Sequence, residues 1–268
     1  NLNNINNKKI LITCDQGLGD IILSSRFVKA LPKYGAKVTF QIPKGMESLM
    51  QNLSSDVEII SEENLSTNFD YKCTLGDLFE IFNISKSNIP FTREYLIIEK
   101  KWIDKWKNKL DNNKFNIGIS WQGKKGGALD EGRSLELRNF ETISNMRNIN
   151  LVSLQKNDGV EQINEFSKNN NIIDFSDVLD VQEKFMDTAG LMKNLDLVIS
   201  SDTSIIHLAG ALGINSWLLL QKYPFWYWQT KDNFSIWYES VKIIKQSENH
   251  NWKKLFLEIK SELENLNK

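Results

Sequence analysis

Short apolar stretches alternate along the chain with segments whose hydrophobic residues recur at helical spacing. The stretches KILIT (9–13), KVTFQI (37–42) and VEII (57–60) have the length and the β-branched content of strands. Between them, apolar residues recur every three or four positions, as they do on one face of an amphipathic helix. Strands that alternate with helices predict a mainly parallel sheet that is covered on both faces.

The alternation continues less clearly through DYKCTLGDLFEIF and EYLII. A segment that is predicted to be a charged helix, EKKWIDKWKNKLDNNK (99–114), then interrupts it and ends in a polar stretch, where we place a domain boundary. The alternation restarts at FNIGISW (115–121) and continues through strands at INLVSLQ, LDLVIS and SWLLL. We therefore predict an α/β fold with two Rossmann-like, doubly wound domains, at 1–110 and 111–248. The last segment, 249–268, has an apolar stripe and is predicted to be an amphipathic helix that packs back across both domains.

The composition is that of an ordinary folded protein, since 41% of the residues are hydrophobic and 25% are charged. A net charge of -1 gives no overall field that would attract nucleic acid, so no nucleic-acid partner is predicted. Cys14 and Cys73 with the two histidines do not match any familiar zinc site, and we predict no metal and two reduced thiols in a cytoplasmic protein. No apolar run approaches the ~20 residues that span a bilayer, which leaves peripheral membrane contact open.

Ligands of open α/β sheets bind beyond the carboxyl ends of the strands, where loops run into helix N-termini. GLGD (17–20) forms one such corner, in which Gly17 and Gly19 allow close approach of the backbone and Asp20 arrives as the helix begins. Asp20 is either a helix cap or a general base that projects into a cleft between the two domains.

The stretch SDTSIIHLAGALG, which follows a strand directly, forms a second corner. The free amides of residues 203–205 and the positive end of the helix dipole predict a site for an anion such as a diphosphate. Asp202 is expected to turn inward and brace the turn. His207, one helical turn later, is either structural or a donor to a phosphate or sugar oxygen. Gly210 and Gly213 indicate tight packing and the end of the helix.

Two loops of the second half carry further candidate side chains. WQGKKGGALDEGRS (121–134) combines glycines with Lys124, Lys125 and Arg133, which predicts either a solvated loop or one that closes on phosphates. YPFWYWQTKDNFSIWY (223–238) is rich in aromatic residues, which either fill the core or form a wall that stacks on a base or sugar ring. The chain has no Asp-x-Asp pair, the short acidic motif that holds a metal-bound nucleotide sugar in many transferases. It also has no Walker loop and no GxSxG elbow, which disfavours kinases and hydrolases.

The two corners together resemble two motifs of the heptosyltransferase-like glycosyltransferases, glycosyltransferase family 9. GLGDIILSSRFVKAL is similar to their G-x-G-D-hydrophobic turn and helix, and DTSIIHLAGALG is similar to their Asp-[Ser/Thr]-Gly-x-x-His-x-x-x-Ala-hydrophobic-Gly motif. GISWQG, RSLEL and VSLQ add a closer resemblance to the glycosyltransferase portion of bacterial tetratricopeptide-repeat proteins. Ser204 departs from the family's usual glycine, and its side chain narrows the approach of a diphosphate.

The resemblance implies a GT-B fold, in which two Rossmann-like domains face each other across a cleft. It implies an acceptor on the N-terminal side, at the loop with Gly17 and Gly19, and Asp20 as the catalytic base. It also implies that a nucleoside-diphosphate sugar binds on the C-terminal side and that no cofactor is needed. Asp202, Thr203 and His207 match the family's donor-phosphate motif, and Arg133 is the candidate for the lysine that the family has in the first loop of the second domain. The donor-binding residues that we predict are these four together with Ser204, Lys124, Trp121 and Gln155.

We therefore predict an inverting, metal-independent transfer of a sugar from a nucleoside-diphosphate sugar to a hydroxyl of a glycan, a lipid-linked acceptor or a protein. A nucleotide-sugar epimerase of the same architecture stays open, because it needs acid and base groups around the sugar but no acceptor. The third alternative is a module that binds a glycan or a protein without catalysis. The products of the reaction distinguish the three.

Overall fold

The computed structural model describes residues 2–61, 68–126, 132–248 and 251–266. Within these ranges, the first half of the chain contains four strands and four α-helices. The strands are β1 (Lys9–Thr13), β2 (Lys37–Gln41), β3 (Val57–Ile60) and β4 (Tyr71–Thr74). The helices are α1 (Leu18–Ala30), α2 (Glu47–Gln51), α3 (Asp77–Ile81) and α4 (Lys100–Lys107).

The second half contains seven strands and five α-helices among the described residues. The strands are β5 (Phe115–Ser120), β6 (Ile149–Ser153), β7 (Leu197–Ser201), β8 (Ser216–Leu220), β9 (Thr230–Lys231), β10 (Phe234–Ser235) and β11 (Val241–Lys245). The helices are α5 (Glu141–Ser144), α6 (Ile163–Phe166), α7 (Met186–Met192), α8 (Ser204–Ala211) and α9 (Trp252–Leu266).

Each half contains one sheet in which parallel pairing dominates, as the alternation of strands and helices predicts. The first sheet has the strand order β3-β2-β1-β4, and all its strands are parallel. The second has the order β6-β5-β7-β8-β11-β10-β9, in which only the pairs made by β10 are antiparallel. This architecture confirms the predicted α/β fold class.

α1 and α8 connect the two halves through one continuous core. The α1 residues 21–28 are all buried, because this helix lies between its own sheet and the second half of the chain. The same hydrophobic cluster contains Phe27 of α1, Ile206 of α8 and Tyr238, which precedes β11. Since α1 starts soon after β1 and α8 soon after β7, their packing brings the two glycine-containing corners together.

α9 packs on the second half, whereas the sequence predicts a helix that crosses both domains. Its buried side chains join a cluster whose buried members all lie in the range 117–263. The Phe256 ring makes an edge contact with Phe140 at 4.8 Å between centroids, and Lys242 forms an ion pair with Glu262 at 2.6 Å. The apolar stripe is therefore covered by the second half itself. No helix in the described ranges combines the length and the apolar character needed to cross a bilayer.

Candidate active site

A cleft of about 1930 Å³ lies between the two halves, at the carboxyl ends of their strands. Loops that follow β1 and β4 form one wall, and loops that follow β5, β6, β7 and β8 form the other. The first-half wall consists of residues 16–20, Leu23, Ser24, Gly76 and Phe79. The predicted residues found in the lining are Gly17, Gly19, Asp20, Lys124, Arg133, Gln155, Asp202, Thr203, Ser204 and His207.

The two corners touch through Gly19 of α1 and His207 of α8. A Cβ atom on Gly19 would lie 2.9 Å from His207 Cδ2 and 3.4 Å from the Ser204 Cα, so glycine permits the close approach of the two helices. Gly210 makes a similar contact with the Tyr238 ring, where a Cβ would lie at 2.4 Å, and confirms the predicted tight packing. Because of this packing, the start of α1 and the start of α8 border the same cleft.

Asp20 is the third residue of α1 and lines the cleft. Backbone amides of Gly17 and of Asp20 itself donate to its carboxylate, which lowers its pKa and stabilises the helix start. Burial has the larger effect, so the pKa of Asp20 lies above its ordinary value even though Arg133 also lowers it. Asp20 therefore caps α1 and also presents a partly desolvated carboxylate to the cleft.

Asp202 is more deeply buried than Asp20 and lies against His207, with 3.9 Å between Asp202 Oδ1 and His207 Nε2. Burial raises the pKa of Asp202 to about 6, and the Asp20 carboxylate adds to this rise. Trp228 and Arg133 lower it, but by less than burial raises it. Asp202 therefore titrates close to neutral pH.

The start of α8 offers fewer free amides than the sequence predicts. Thr203 caps this helix with its own hydroxyl, which accepts from the Ile205 amide at 3.3 Å. Among the described hydrogen bonds, none is donated by the amides of Thr203 and Ser204. An anion at this helix end would therefore meet two amides rather than the three that the sequence analysis expects.

His207 is neutral and buried, so it is not a cationic ligand for phosphate. Its Nδ1 lies 3.0 Å from the Tyr238 hydroxyl, and its ring stacks on Trp228 with 5.2 Å between centroids. Burial lowers the pKa of His207 to about 3, and the nearby Arg26 guanidinium contributes. When the Tyr238 hydroxyl donates to Nδ1, the proton is on Nε2, which faces Asp202. In that tautomer His207 has one neutral hydrogen bond to donate.

The low pKa of His207 predicts a loss of stability on acidification. The pKa is about 6.5 in the unfolded chain and about 3 in the folded protein, so only the unfolded chain binds a proton between these values. The contribution of His207 to stability should therefore fall from pH 7 to pH 5, so the wild type should lose more, or gain less, stability over that range than His207→Gln does. Asp202 has the opposite effect, because its pKa is raised in the folded state and its protonation on acidification therefore favours folding. This effect is expected in the wild type and in His207→Gln. Urea unfolding at both pH values measures the difference, and equal changes would contradict a buried neutral His207.

Arg133 provides positive charge on the second-half wall. Its guanidinium packs on Gly123, where a Cβ atom would lie 2.5 Å from Nη2. Arg133 lowers the pKa of both Asp20 and Asp202, so its charge acts on the two carboxylates of the cleft. Lys124 lies exposed in the same wall. Residues 127–131 of this glycine-rich loop, for which the sequence leaves open a solvated loop or one that closes on phosphates, lie outside the described residues.

No family model matches the chain. Among curated proteins, Protein FlbA of Caulobacter vibrioides is 23% identical over 235 residues, which are 79% of this chain and 39% of FlbA. The chain therefore spans less than half of the length of this relative.

Solved structures at low sequence identity share the fold of this chain. The glycosyl transferase family 9 protein of Veillonella parvula covers 90% of this chain and 87% of its own, with a TM-score of 0.66 and 12% identity. ADP-heptose LPS heptosyltransferase II of E. coli covers 96% of this chain and 99% of its own, with a TM-score of 0.64 and 12% identity. The chain therefore shares the fold of these two proteins. The GT-B architecture that the two motifs imply is confirmed.

Within this GT-B fold, Gln155 supports the loop after β5 rather than offering free polar atoms to a ligand. Its Oε1 accepts from the Ser120 hydroxyl and from the amides of Trp121 and Gln122 at 3.0 to 3.1 Å. Its Nε2 donates to the carbonyls of Gln122 and Asp158, each at 2.7 Å. The Trp121 side chain is fully buried in the core of the second half, which corrects its prediction as a donor-binding residue.

The aromatic segment 223–228 contributes both to the core and to the wall of the cleft. Tyr223 and Trp226 line the cleft and are 71% and 72% exposed. Trp228 is buried and stacks on His207, a role that the sequence analysis did not assign. The only sequence signal for it was its place in an aromatic run after a predicted strand. Within the described residues, no group of three His, Cys, Asp or Glu side chains is placed to hold a metal ion.

Proposed function

We propose that the protein transfers a sugar from a nucleoside-diphosphate sugar to an acceptor hydroxyl, with inversion at the anomeric carbon and without a metal ion. The contact between Gly19 and His207 carries this proposal, because it brings the Asp20 carboxylate and the start of α8 to one cleft. The shared fold supports the choice of donor. E. coli heptosyltransferase WaaC, solved with ADP-2-deoxy-2-fluoro heptose, covers 96% of this chain with a TM-score of 0.60 and 10% identity.

Asp20 acts as the general base on the first-half wall. Its carboxylate takes the proton of the acceptor hydroxyl while the hydroxyl oxygen attacks the anomeric carbon of the donor. Partial burial raises the pKa of Asp20, which makes the carboxylate a better proton acceptor than an exposed aspartate. The acceptor and the leaving group are on opposite sides of the anomeric carbon, and a single displacement of this kind inverts its configuration.

The leaving diphosphate is stabilised on the second-half wall. The bond between the anomeric carbon and the phosphate oxygen breaks, and the electron pair stays on the diphosphate. Arg133 and Lys124 supply positive charge there, and the amides of Thr203 and Ser204 supply hydrogen bonds. Side-chain and backbone donors thus take the place of a metal ion in this proposal, and the donor sugar is the only small molecule that the reaction needs.

Calorimetric titration with ADP, UDP and GDP tests the donor site. We expect at least one of these nucleotides to bind and Arg133→Ala to weaken its binding by about 10-fold or more, because a charge-assisted hydrogen bond to phosphate is lost. Arg138→Ala is the matched control, since Arg138 is exposed and pairs with Glu136 away from the cleft. Equal binding by the Arg133 variant and the wild type would contradict the assigned site.

Product analysis with the matching nucleotide sugar then separates the candidate functions. Transfer releases a free nucleoside diphosphate and yields a glycosylated acceptor. An epimerase instead yields an altered nucleotide sugar without a released diphosphate. A binding module yields neither product, although it can still bind the nucleotide.

A further inference from the structure

The two walls of the cleft differ in charge. In the described lining, the positively charged side chains all belong to the second half and are Lys124, Arg133, Lys156 and Lys184. The described first-half wall has one ionisable side chain, Asp20, and otherwise consists of glycine, glutamine, leucine, serine and phenylalanine. A phosphate or carboxylate on that wall would meet Asp20 and no cation of the same wall. Arg133 acts on Asp20 from the opposite wall, but in the proposed function its charge is used by the leaving diphosphate, so an anionic acceptor group is disfavoured. The wall is suited to an uncharged molecule.

Ser24 has an unused hydroxyl on this wall, one helical turn after Asp20. Residues four positions apart lie on the same face of a helix, so Ser24 follows Asp20 along the cleft side of α1. Its Oγ is buried and has no hydrogen-bond partner in the described structure. The neighbouring Ser25 differs, because its Oγ donates to the Ile22 carbonyl at 2.8 Å. A buried hydroxyl without a partner is unusual, and a ligand hydroxyl in the cleft would satisfy it.

Phe79 gives the same wall an apolar surface. Edge contacts with Phe27 at 5.0 Å and with Trp237 at 5.8 Å between ring centroids hold the Phe79 ring in place. The ring is partly exposed and lines the cleft. A pyranose has an apolar face of C–H groups and a rim of hydroxyls, so an aromatic ring beside hydroxyl and carboxylate groups matches its chemistry.

We propose that the first-half wall is an acceptor site for an uncharged sugar, an inference that rests on the proposed function. The apolar face of the pyranose ring lies against Phe79. One sugar hydroxyl gives its proton to Asp20 as its oxygen bonds to the anomeric carbon of the donor, and the nucleoside diphosphate leaves with the electrons of the broken bond. Ser24 Oγ forms a hydrogen bond with the neighbouring hydroxyl and orients the acceptor.

Matched pairs of acceptors test this charge preference. The pairs are p-nitrophenyl glucoside with p-nitrophenyl glucuronide and p-nitrophenyl galactoside with the corresponding galacturonide, whose members differ in the carboxylate at C6. The donor in these assays is a sugar derivative of the nucleoside diphosphate, ADP, UDP or GDP, that binds in the calorimetric titration. We expect at least one neutral glycoside to raise the rate of diphosphate release about 10-fold over the rate in buffer alone, and its charged partner to raise it less.

Variants of the wall test the assigned contacts. Ser24→Ala and Phe79→Ala should each raise KM for that glycoside about 10-fold while the donor Kd stays within about twofold. Ser25→Ala is the control for the hydroxyl, because Ser25 bonds within α1. Phe82→Ala is the control for the ring, because Phe82 also packs on Phe27, at 5.4 Å, but lies outside the cleft lining. Both controls should leave KM within about twofold.

Three results would overturn the acceptor proposal while the donor still binds. They are faster release with the charged member of each pair, an unchanged KM in Ser24→Ala, and no acceleration by any of the glycosides. The KM of Ser24→Ala tests the acceptor proposal by itself, even if Phe79→Ala fails to fold. If no nucleotide and no nucleotide sugar binds, the proposed function fails instead and the acceptor site fails with it.

Discussion

Replacing Asp20 with asparagine is expected to lower turnover by about 100-fold or more and to leave the donor Kd within about twofold. Asparagine has nearly the same shape and keeps an oxygen that can accept from the Gly17 amide, so the start of α1 should be retained. It cannot take the proton of an acceptor hydroxyl. Initial rates of diphosphate release and calorimetric titration of the nucleotide measure the two quantities separately.

Asp15→Asn is the matched control, because Asp15 is exposed in the same loop and lies outside the cleft lining. It should keep the wild-type rate. The fold imposes no penalty on the loss of charge at Asp20, because burial raises the pKa of this carboxyl and thus disfavours its ionised form. Thermal unfolding of Asp20→Asn should therefore resemble that of the wild type. Full activity in this variant would reduce Asp20 to a helix cap.

Three strands of the first half, β1, β2 and β3, are predicted from local pattern alone. The stretches at 9–13 and 57–60 form β1 and β3 at the predicted bounds, and the predicted strand at 37–42 ends one residue earlier, as β2. Each is a short apolar run between polar residues, and its partners are the next runs of the same kind. Local sequence therefore contains most of the information that these strands need.

Segments whose conformation depends on distant partners were predicted less well. EYLII (94–98) continues the apolar pattern but forms no strand, because the amides of Tyr95 and Leu96 donate to the Ala211 carbonyl at the end of α8. β11 was missed, since it becomes a strand by pairing in parallel with β8, more than 20 residues earlier. The charged segment 99–114 is helical only as α4, over Lys100–Lys107.

The candidate site likewise has features that local sequence predicts and features that depend on residues distant in the chain. That Asp20 and the start of α8 each lie at the carboxyl end of a strand follows from local sequence. That the two strand ends face one cleft is what the resemblance to the heptosyltransferase-like glycosyltransferases implies. The neutral state of His207 does not follow from local sequence, since it depends on burial among Tyr238, Trp228 and Arg26, which are distant in the chain. The backbone that lines the cleft can therefore be predicted from sequence motifs. The charge of a buried side chain cannot, because it depends on which residues pack around that side chain in the folded protein.

Arg26 is the side chain whose removal should cost the most stability. It is fully buried in α1, and its Nη1 donates to the Trp237 carbonyl of the second half at 2.6 Å. Among the described ion pairs, none includes Arg26. Its charge is instead offset by backbone carbonyls and by the faces of the Tyr95 and Tyr238 rings, whose centroids lie 4.8 Å and 4.6 Å from the guanidinium carbon.

Arg26→Ala is expected to lower the free energy of unfolding by about 3–5 kcal/mol, because it leaves a cavity and an unpaired buried carbonyl at Trp237. Arg26→Met should cost less, since methionine fills much of the volume but leaves that carbonyl unpaired. Urea unfolding measures both, and the exposed Arg138→Ala should change the value by less than about 0.5 kcal/mol. A cost for Arg26→Ala as small as that of Arg138→Ala would contradict a role for this cation in joining the two halves.

The Arg26 variants also test how the core sets the charge of His207. Arg26 helps to lower the pKa of His207, so a variant without the guanidinium should have a histidine pKa closer to the ordinary value. An NMR titration of the imidazole in folded Arg26→Met measures this directly, with Arg26→Lys as the variant that keeps the positive charge. If the histidine pKa is the same in the methionine and lysine variants, burial alone keeps His207 neutral, and Arg26 acts only through its hydrogen bonds and packing.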